Sequence, residues 1–254
     1  MKPLCNGSTI TDMATNAAQF CRYELKFFLT AEQHTALVND LRAFLQPDPS
    51  AILDRDGRYF VRSLYFDDAN FNAYHDKIDG VNIRHIFRLR TYAPDAASTV
   101  FLELKARHHL RVDKWRQALS RYDDNNTIAS VLAEPVASDI QRRFIAAYRR
   151  QHLSALTLID YWRQPWHSPA LPAFRITFDS ELAAVASPTL FPTSAARRRS
   201  LLRGCTIMEV KYQRSLPDWF QMLRRAHRLS ARPLSKLCHA VQAFNLANEN
   251  EPLS

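Results

Sequence analysis

Residues 83–117 read IRHIFRLRTYAPDAASTVFLELKARHHLRVDKWRQ, and three stretches within them, 83–92, 99–107 and 110–117, alternate polar with apolar side chains. Only short breaks separate the stretches. Side chains alternate faces along a strand, so the pattern predicts three consecutive antiparallel strands. One face carries Arg84, Arg88 and Arg90, then Glu103, Lys105 and Arg107, then Lys114 with Arg116. The opposite face carries Phe87 and Leu89, then Val100, Leu102 and Leu104.

The same alternation extends outward. Strands are expected at 20–28, 59–66, 153–163, 173–181 and 206–214, and they add Arg22, Glu24, Lys26, Arg163, Arg175, Asp179, Glu209 and Lys211 to the charged face. Thr30, with Gln33 three residues on, forms a capping box that opens a helix with Leu37, Leu41 and Leu45 in one stripe. Asp68 is expected to cap a short helix ending at Asp79-Gly80, 138–150 reads as an amphipathic helix, and two more helices begin near Pro217 and Pro233. The fold class is therefore α+β. A single domain is expected over 20–247, with a loose segment at 1–19, a flexible excursion at 187–204 that carries Arg197-Arg198-Arg199, and a tail at 248–254.

A polar face on an antiparallel sheet is ordinarily a solvated surface, where acids and bases alternate across strands. Here Arg and Lys outnumber the acids, which are only Glu24, Glu103, Glu209 and Asp179. If the helices pack on the apolar side of a closed barrel, the charged side becomes its lumen, and about eight strands enclose room for one modest ligand. A lumen of like charges is costly while empty, and a polyanion relieves the cost. Arg forks grip phosphate oxygens in pairs and Lys adds point charges. Glu24-Leu-Lys26, Glu103-Leu-Lys105 and Glu209-Val-Lys211 repeat one E-x-K pattern on that face, pairing carboxylates suited to Mg²⁺ or Mn²⁺ with amines suited to phosphate.

The net charge of +9 agrees with an anionic partner but does not choose one. Cys5, Cys21, Cys205 and Cys238 lie far apart without a CxxC pair, so no zinc site or disulfide framework is expected. With four Gly in the chain there is no Gly-rich phosphate loop, and His108-His109, adjacent on a strand, point to opposite faces. No secretory signal or membrane span is visible, and a cytosolic protein is the expectation.

An ordered set of motifs spans roughly residues 20–245: Arg22-Tyr-Glu24-Leu-Lys26, Ser63-Leu-Tyr65-Phe66-Asp67, Asp79-Gly80, Arg88-Leu-Arg90, Glu103-Leu-Lys105, Lys114-Trp-Arg116, Tyr161-Trp-Arg163, Arg175-Ile-Thr-Phe-Asp179, Glu209-Val-Lys211 and Ser235-Lys236. This set resembles the VTC domain, the catalytic domain of polyphosphate polymerases in the triphosphate tunnel (CYTH-like) superfamily. The resemblance implies a closed antiparallel tunnel with helices packed outside it. It implies Arg88, Arg90, Lys105, Arg163 and Arg175 at the transferring phosphate. Lys26, Arg22, Lys114, Arg116, Lys211 and Lys236 would bind further phosphates, and Glu209, with Glu24 and Glu103, would hold Mn²⁺ or Mg²⁺. His85 stands where a Lys is common in that family, and Leu237 replaces an expected Tyr. No SPX regulatory domain or membrane segment of the kind found in the eukaryotic complex is read in this sequence, and a membrane-protein partner for export is one expectation of the resemblance.

The implied activity transfers the γ-phosphate of ATP to a polyphosphate chain and releases ADP. Hydrolysis of a triphosphate in the same tunnel is the alternative, although Arg22 stands where a tunnel hydrolase usually has the first Glu of E-x-E-x-K. Nucleic-acid binding is the third reading. It requires exposed stacking aromatics among the charges, and the charged strand faces carry few.

Overall fold

In the computed structural model, described for residues 22–49, 57–95, 98–109, 111–133, 138–192 and 196–247, the predicted alternation becomes ten strands. They are β1 (Arg22–Thr30), β2 (Gln46–Pro47), β3 (Tyr59–Asp67), β4 (Ile83–Thr91), β5 (Phe101–His108), β6 (Arg111–Ala118), β7 (Ser154–His167), β8 (Arg175–Val185), β9 (Arg198–Ser200) and β10 (Cys205–Gln213). Six α-helices join them: α1 (Ala31–Leu41), α2 (Asn72–Ile78), α3 (Thr127–Leu132), α4 (Asp139–Gln151), α5 (Asp218–Ala226) and α6 (Lys236–Phe244). The eight long strands form one antiparallel sheet in the order β1-β10-β8-β7-β3-β4-β5-β6, with β2 added to β7 and β9 to β8. The segments expected at 1–19 and 248–254 lie outside the described residues.

Two apolar clusters cover one face of the sheet. Phe27, Met208, Val210, Ile176 and Phe178 pack under α1 and α5 through Leu37, Leu41, Phe220 and Leu223. Leu64, Phe66, Phe87, Leu89, Leu102 and Leu104 pack against α3 and α4 through Val131, Ile140 and Phe144. Those helices lie outside, as expected. A third cluster lies on the opposite, charged face. Val61, Tyr65, Ile159, Tyr161, Leu182, Ala184 and Ile207 meet Leu237, Ala240, Val241 and Phe244 of α6, with Phe71 beside α2. Not all helices are therefore external: α6 plugs the charged side.

A bulge in β8 makes this possible. Asp160 pairs with Ala183 and Trp162 with Ser180, so the ladder gains a residue there. Glu181 takes a left-handed backbone with φ of 54°. An extra residue switches the face on which later side chains appear. Asp179 before the bulge and Leu182 after it thus share one side.

The sheet curls until its ends face each other: Glu24 on β1 is within electrostatic reach of Lys105 on β5, and Lys114 on β6 within reach of Lys211 on β10. No ladder joins β1 to β6 among the described residues, so hydrogen bonds do not close the expected barrel. Lys114 and Lys211 repel across the seam, and β6 carries the alternating charges typical of a guarded edge.

Two local expectations are revised. The N-terminus of α2 follows a left-handed Phe71 with no side-chain cap. Asp67 accepts from the Ala73 and Tyr74 amides instead, and Asp68 from those of Asn70 and Asn72. The basic run is not a free excursion either. Arg198 bonds Asp160, which also holds Arg62, while Arg197 and Arg199 lie 5.7 and 5.3 Å from the Phe244 ring centre. No helix among the described residues is long and apolar enough to cross a membrane.

The Thr30 capping box is present, with the Thr30 side chain accepting from the Gln33 amide and Gln33 answering the Thr30 amide. Thr30→Ala should lower stability by about 1 kcal/mol, read as a shifted urea midpoint with unchanged slope.

Candidate functional site

The charged side chains predicted to share a face do so, and the ladder registers give their neighbours. Lys26 lies opposite Glu209 and Glu24 opposite Lys211. Arg88 lies opposite Glu103, which in turn faces Arg116. Lys105 lies directly opposite Lys114. Arg22, at the start of β1, pairs with Gln213 in the ladder.

Three acids tie this face together. Glu103 accepts from Arg88 Nε at 2.7 Å, with Arg90 at 3.5 Å and Arg116 at 3.6 Å. Burial raises its carboxyl pKa, but Arg88 and Arg90 overcome that and hold it low. Asp179, fully buried, takes both forks of Arg163 at 2.6 and 2.8 Å and Lys236 at 2.6 Å. Burial pushes Asp179 up, yet Arg163 and Lys236 bring it down to about 2. Glu209 bonds Lys211 at 2.6 Å and lies 4.0 Å from Lys26. Against the effect of burial, Lys211, Lys26, Arg163 and Lys236 hold it well below the carboxylate range.

Glu24 is 3.1 Å from the Lys26 amine. Burial and Glu209 both raise the Glu24 pKa, and Lys26, Lys105 and Lys211 outweigh them, so both acids stay ionised side by side. Of the three predicted metal carboxylates, Glu24 and Glu209 come together, whereas Glu103 sits among arginines.

Neutral groups orient the arginines. Arg88 donates to the Tyr65 hydroxyl at 3.0 Å, and Arg90 donates to Ser63 at 3.1 Å and Tyr161 at 3.3 Å. Burial raises the Tyr65 phenol, but Arg88, Arg90 and Lys236 reverse the shift and lower it. Sequence reasoning missed these hydroxyls. Ser63, Tyr65 and Val61 share one parity in β3, an alternation too mixed to mark a face. The expectation of few aromatics there was also wrong: Tyr59, Tyr65, Phe101 and Tyr161 all lie on this side. Tyr65 and Tyr161 are only 6% and 2% exposed, so they hold arginines and cannot stack bases.

Two predicted residues lie toward the rim. Arg175 is half-exposed, 3.7 Å from Asp48, and Arg116 lies 3.7 Å above the Phe101 ring centre. Among the described residues Lys105 and Lys114 make no ion pair with a carboxylate. Burial lowers the Lys105 pKa, with Glu24 opposing and Lys26 reinforcing the shift. Solvent reaches Lys114, but the surrounding walls and Lys211 bring it down to about 8. The strongest cations of the face are therefore braced, and two amines are left to meet an anion.

The family model described as the VTC domain matches residues 21–245. The chain belongs to the VTC domain family. A Bacillus halodurans protein, described as a candidate adenylate cyclase, is similar in structure, with TM-score 0.50 and 13% identity over 88% of this chain and 98% of that one. PH1819 from Pyrococcus horikoshii OT3 aligns with TM-score 0.43 and 11% identity, over 87% of this chain and 99% of its own. No curated protein matches this sequence. The chain is thus a VTC domain whose curled antiparallel sheet carries the cation-rich face on its inner side.

Asp179 links this site to stability. Its folded pKa of about 2 lies below the usual carboxylate value, so its contribution is full above about pH 4 and disappears as pH falls through about 2. Asp179→Asn should cost about 3–5 kcal/mol at neutral pH, because Arg163 and Lys236 remain buried without their counter-charge. Urea denaturation of the variant and parent at pH 7 measures the loss.

Proposed function

We propose that this VTC domain is a polyphosphate polymerase that transfers the γ-phosphate of ATP to the end of a growing polyphosphate chain and releases ADP. The observation that carries this reading is the Lys105–Lys114 pair, two lysines directly opposite in the ladder, with no carboxylate ion pair among the described residues, amid braced arginines. Like charges directly opposite across strands repel, and a bridging phosphate oxygen turns that repulsion into attraction.

The chain's own residues do most of the work. Arg88 and Arg90, fixed by Glu103, Tyr65, Ser63 and Tyr161, are oriented before substrate arrives, so they stabilise developing charge with little reorganisation. Lys105 and Lys114 hold the phosphate chain, while Lys26, Lys211 and Lys236 brace the carboxylates around it. A terminal phosphate oxygen of the acceptor forms the new bond to the γ-phosphorus, and the bond to the β–γ bridging oxygen breaks, leaving ADP. The acceptor oxygen is already anionic, so no general base is required.

Glu24 and Glu209 fit a divalent ion. They are neighbouring ionised oxygen donors, and no cluster of three His, Cys, Asp or Glu ligands exists among the described residues. Such a pair suits Mg²⁺ or Mn²⁺, whose remaining positions are filled by water and substrate phosphates. When bound there, the ion would neutralise phosphate charge. Glu103 is the arginine counter-ion in this reading.

Purified protein incubated with ATP and Mn²⁺ should produce polyphosphate on a stained gel, with ADP in matching amount. Free phosphate in place of polymer would identify a triphosphatase instead. Glu209→Gln should retain metal-free triphosphate binding in calorimetry but lose roughly 10²-fold in turnover. Arg90→Ala should lose binding and turnover together.

Lys114 sets a pH dependence. Its amine loses charge as pH rises through about 8, so triphosphate affinity should fall across that range. Lys114→Arg keeps its charge and should flatten the profile, which calorimetry at a series of pH values will show.

A further inference from the structure

The bulge in β8 leaves a break in the sheet. Residues 175–179 of β8 pair with β10 and residues 183–185 pair with β9, so Ser180 and Glu181 have no ladder partner on that side. Residues 201–204 connect β9 to β10 beside the break, and Leu202 takes a left-handed backbone with φ of 52°, uncommon for a bulky residue. A cavity of about 700 Å³ opens there, lined by the bulge, by this connection and by Phe60, Asp160 and Trp162. It lies away from the cationic face. Phe60, Arg62, Asp160 and Trp162 alternate with Val61 and Tyr161, and the latter two pack under α6 on the charged side. Its volume falls within the range of small-molecule sites, whose walls are mostly apolar with a few placed polar groups.

The lining combines rings with arginines. Phe60 and Trp162 meet edge to face with 5.6 Å between ring centres, and Arg62 and Arg58 lie over them at 5.5 and 5.3 Å. Arg198 is set in place from two directions. It donates to Asp160 at 2.8 Å, and its neighbours Arg197 and Arg199 rest on the Phe244 ring of α6. Both acids of the cavity are already engaged: Asp160 also takes both forks of Arg62 at 2.9 Å, and Glu181 takes Arg58 at 2.6 Å. Arg203 lines the same cavity, is exposed, and makes no ion pair with a carboxylate among the described residues. Arg58, Arg62, Arg198 and Arg203 thus outnumber Asp160 and Glu181, and a surplus of that sign favours an anion.

We propose that this cavity is a second ligand site, for a small organic anion made of a planar ring with one phosphate or carboxylate group. The ring packs against Phe60 and Trp162, and the anionic group pairs with Arg198 and Arg203. Arg198 can turn to a ligand without stranding a buried charge, because Arg62 stays on Asp160. Binding is reversible and no covalent step is involved. The site lies apart from the Lys105–Lys114 pair and does not rest on the polymerase reading.

The test is calorimetry with adenosine monophosphate and with indole-3-acetate, in saturating inorganic triphosphate so that the central cations are occupied. Inorganic phosphate and adenosine supply the charge without the ring and the ring without the charge. At least one ring-bearing anion should bind about tenfold more tightly than either fragment, and which one binds identifies the anionic group. Arg198→Gln/Arg203→Ser should weaken that binding about tenfold while keeping triphosphate affinity within twofold of the parent. Cys205, partly buried in the cavity lining, reports the place: the bound anion should slow its alkylation by N-ethylmaleimide, followed by peptide mass spectrometry. Binding of neither anion, equal binding of a fragment, an affinity unchanged in the double variant, or unslowed Cys205 alkylation each overturns the site. Arg203→Ser alone, at an exposed side chain, takes the place of the double variant if that variant's melting temperature falls. A parent protein that does not bind triphosphate counts against the central reading only, and the variant and Cys205 measurements still decide this one.

Discussion

Lys105 and Lys114 stand opposite each other on neighbouring strands, and the rest of the curled face is arranged around cations that repel in this way. In open water such pairs are largely screened; here Lys105 is half-buried while solvent reaches Lys114, so the screening is only partial. The acids are accordingly few and shared. Glu103 serves Arg88, Arg90 and Arg116, Asp179 serves Arg163 and Lys236, and Glu209 serves Lys211 and Lys26. Each carboxylate holds several cations in place without cancelling their sum. The surplus that remains is what an anion would meet.

The same face also has to supply a core. Its charged part runs along β4, β5, β6, β1 and β10, and its apolar part lies under α6. Asp179 stands at the border, joined to Arg163 of the sheet and to Lys236 in the first turn of α6. One carboxylate thus ties the plug to the wall and positions two cations. Arg197 and Arg199 against Phe244 secure the other end of the helix.

The strand alternation made much of this legible in advance. Reading parity alone put Lys26, Arg88, Arg90, Glu103, Lys105, Lys114, Glu209 and Lys211 on one side, where the ladders place them. The rule failed where the ladder itself is irregular. Nothing local marks Glu181 as left-handed, since it lacks the Gly that commonly signals such a bulge, so Leu182 could not be assigned to the face of Asp179. Contacts between distant segments were equally hidden. The sequence places α6 after the last strand but not on the charged side, and the run Arg197–Arg199 becomes intelligible only when Asp160 and Phe244 are brought to it. Glu103 has the same E-x-K form as Glu24 and Glu209, and only its cross-strand arginines distinguish it.

The first long strand and the last are ladder partners, with Arg22 against Gln213 and Thr30 against Cys205. No other strand pairs with β1 among the described residues. During synthesis on the ribosome, β1 therefore emerges early and remains an unpaired edge until β10 has been made. The hairpins β4–β5–β6 can assemble from neighbouring segments meanwhile, since closing short loops costs little entropy. Completion of the tunnel wall waits for nearly the whole chain, and a nascent chain stalled before β10 leaves Phe27 and Leu29 without the apolar cover of Met208 and Val210.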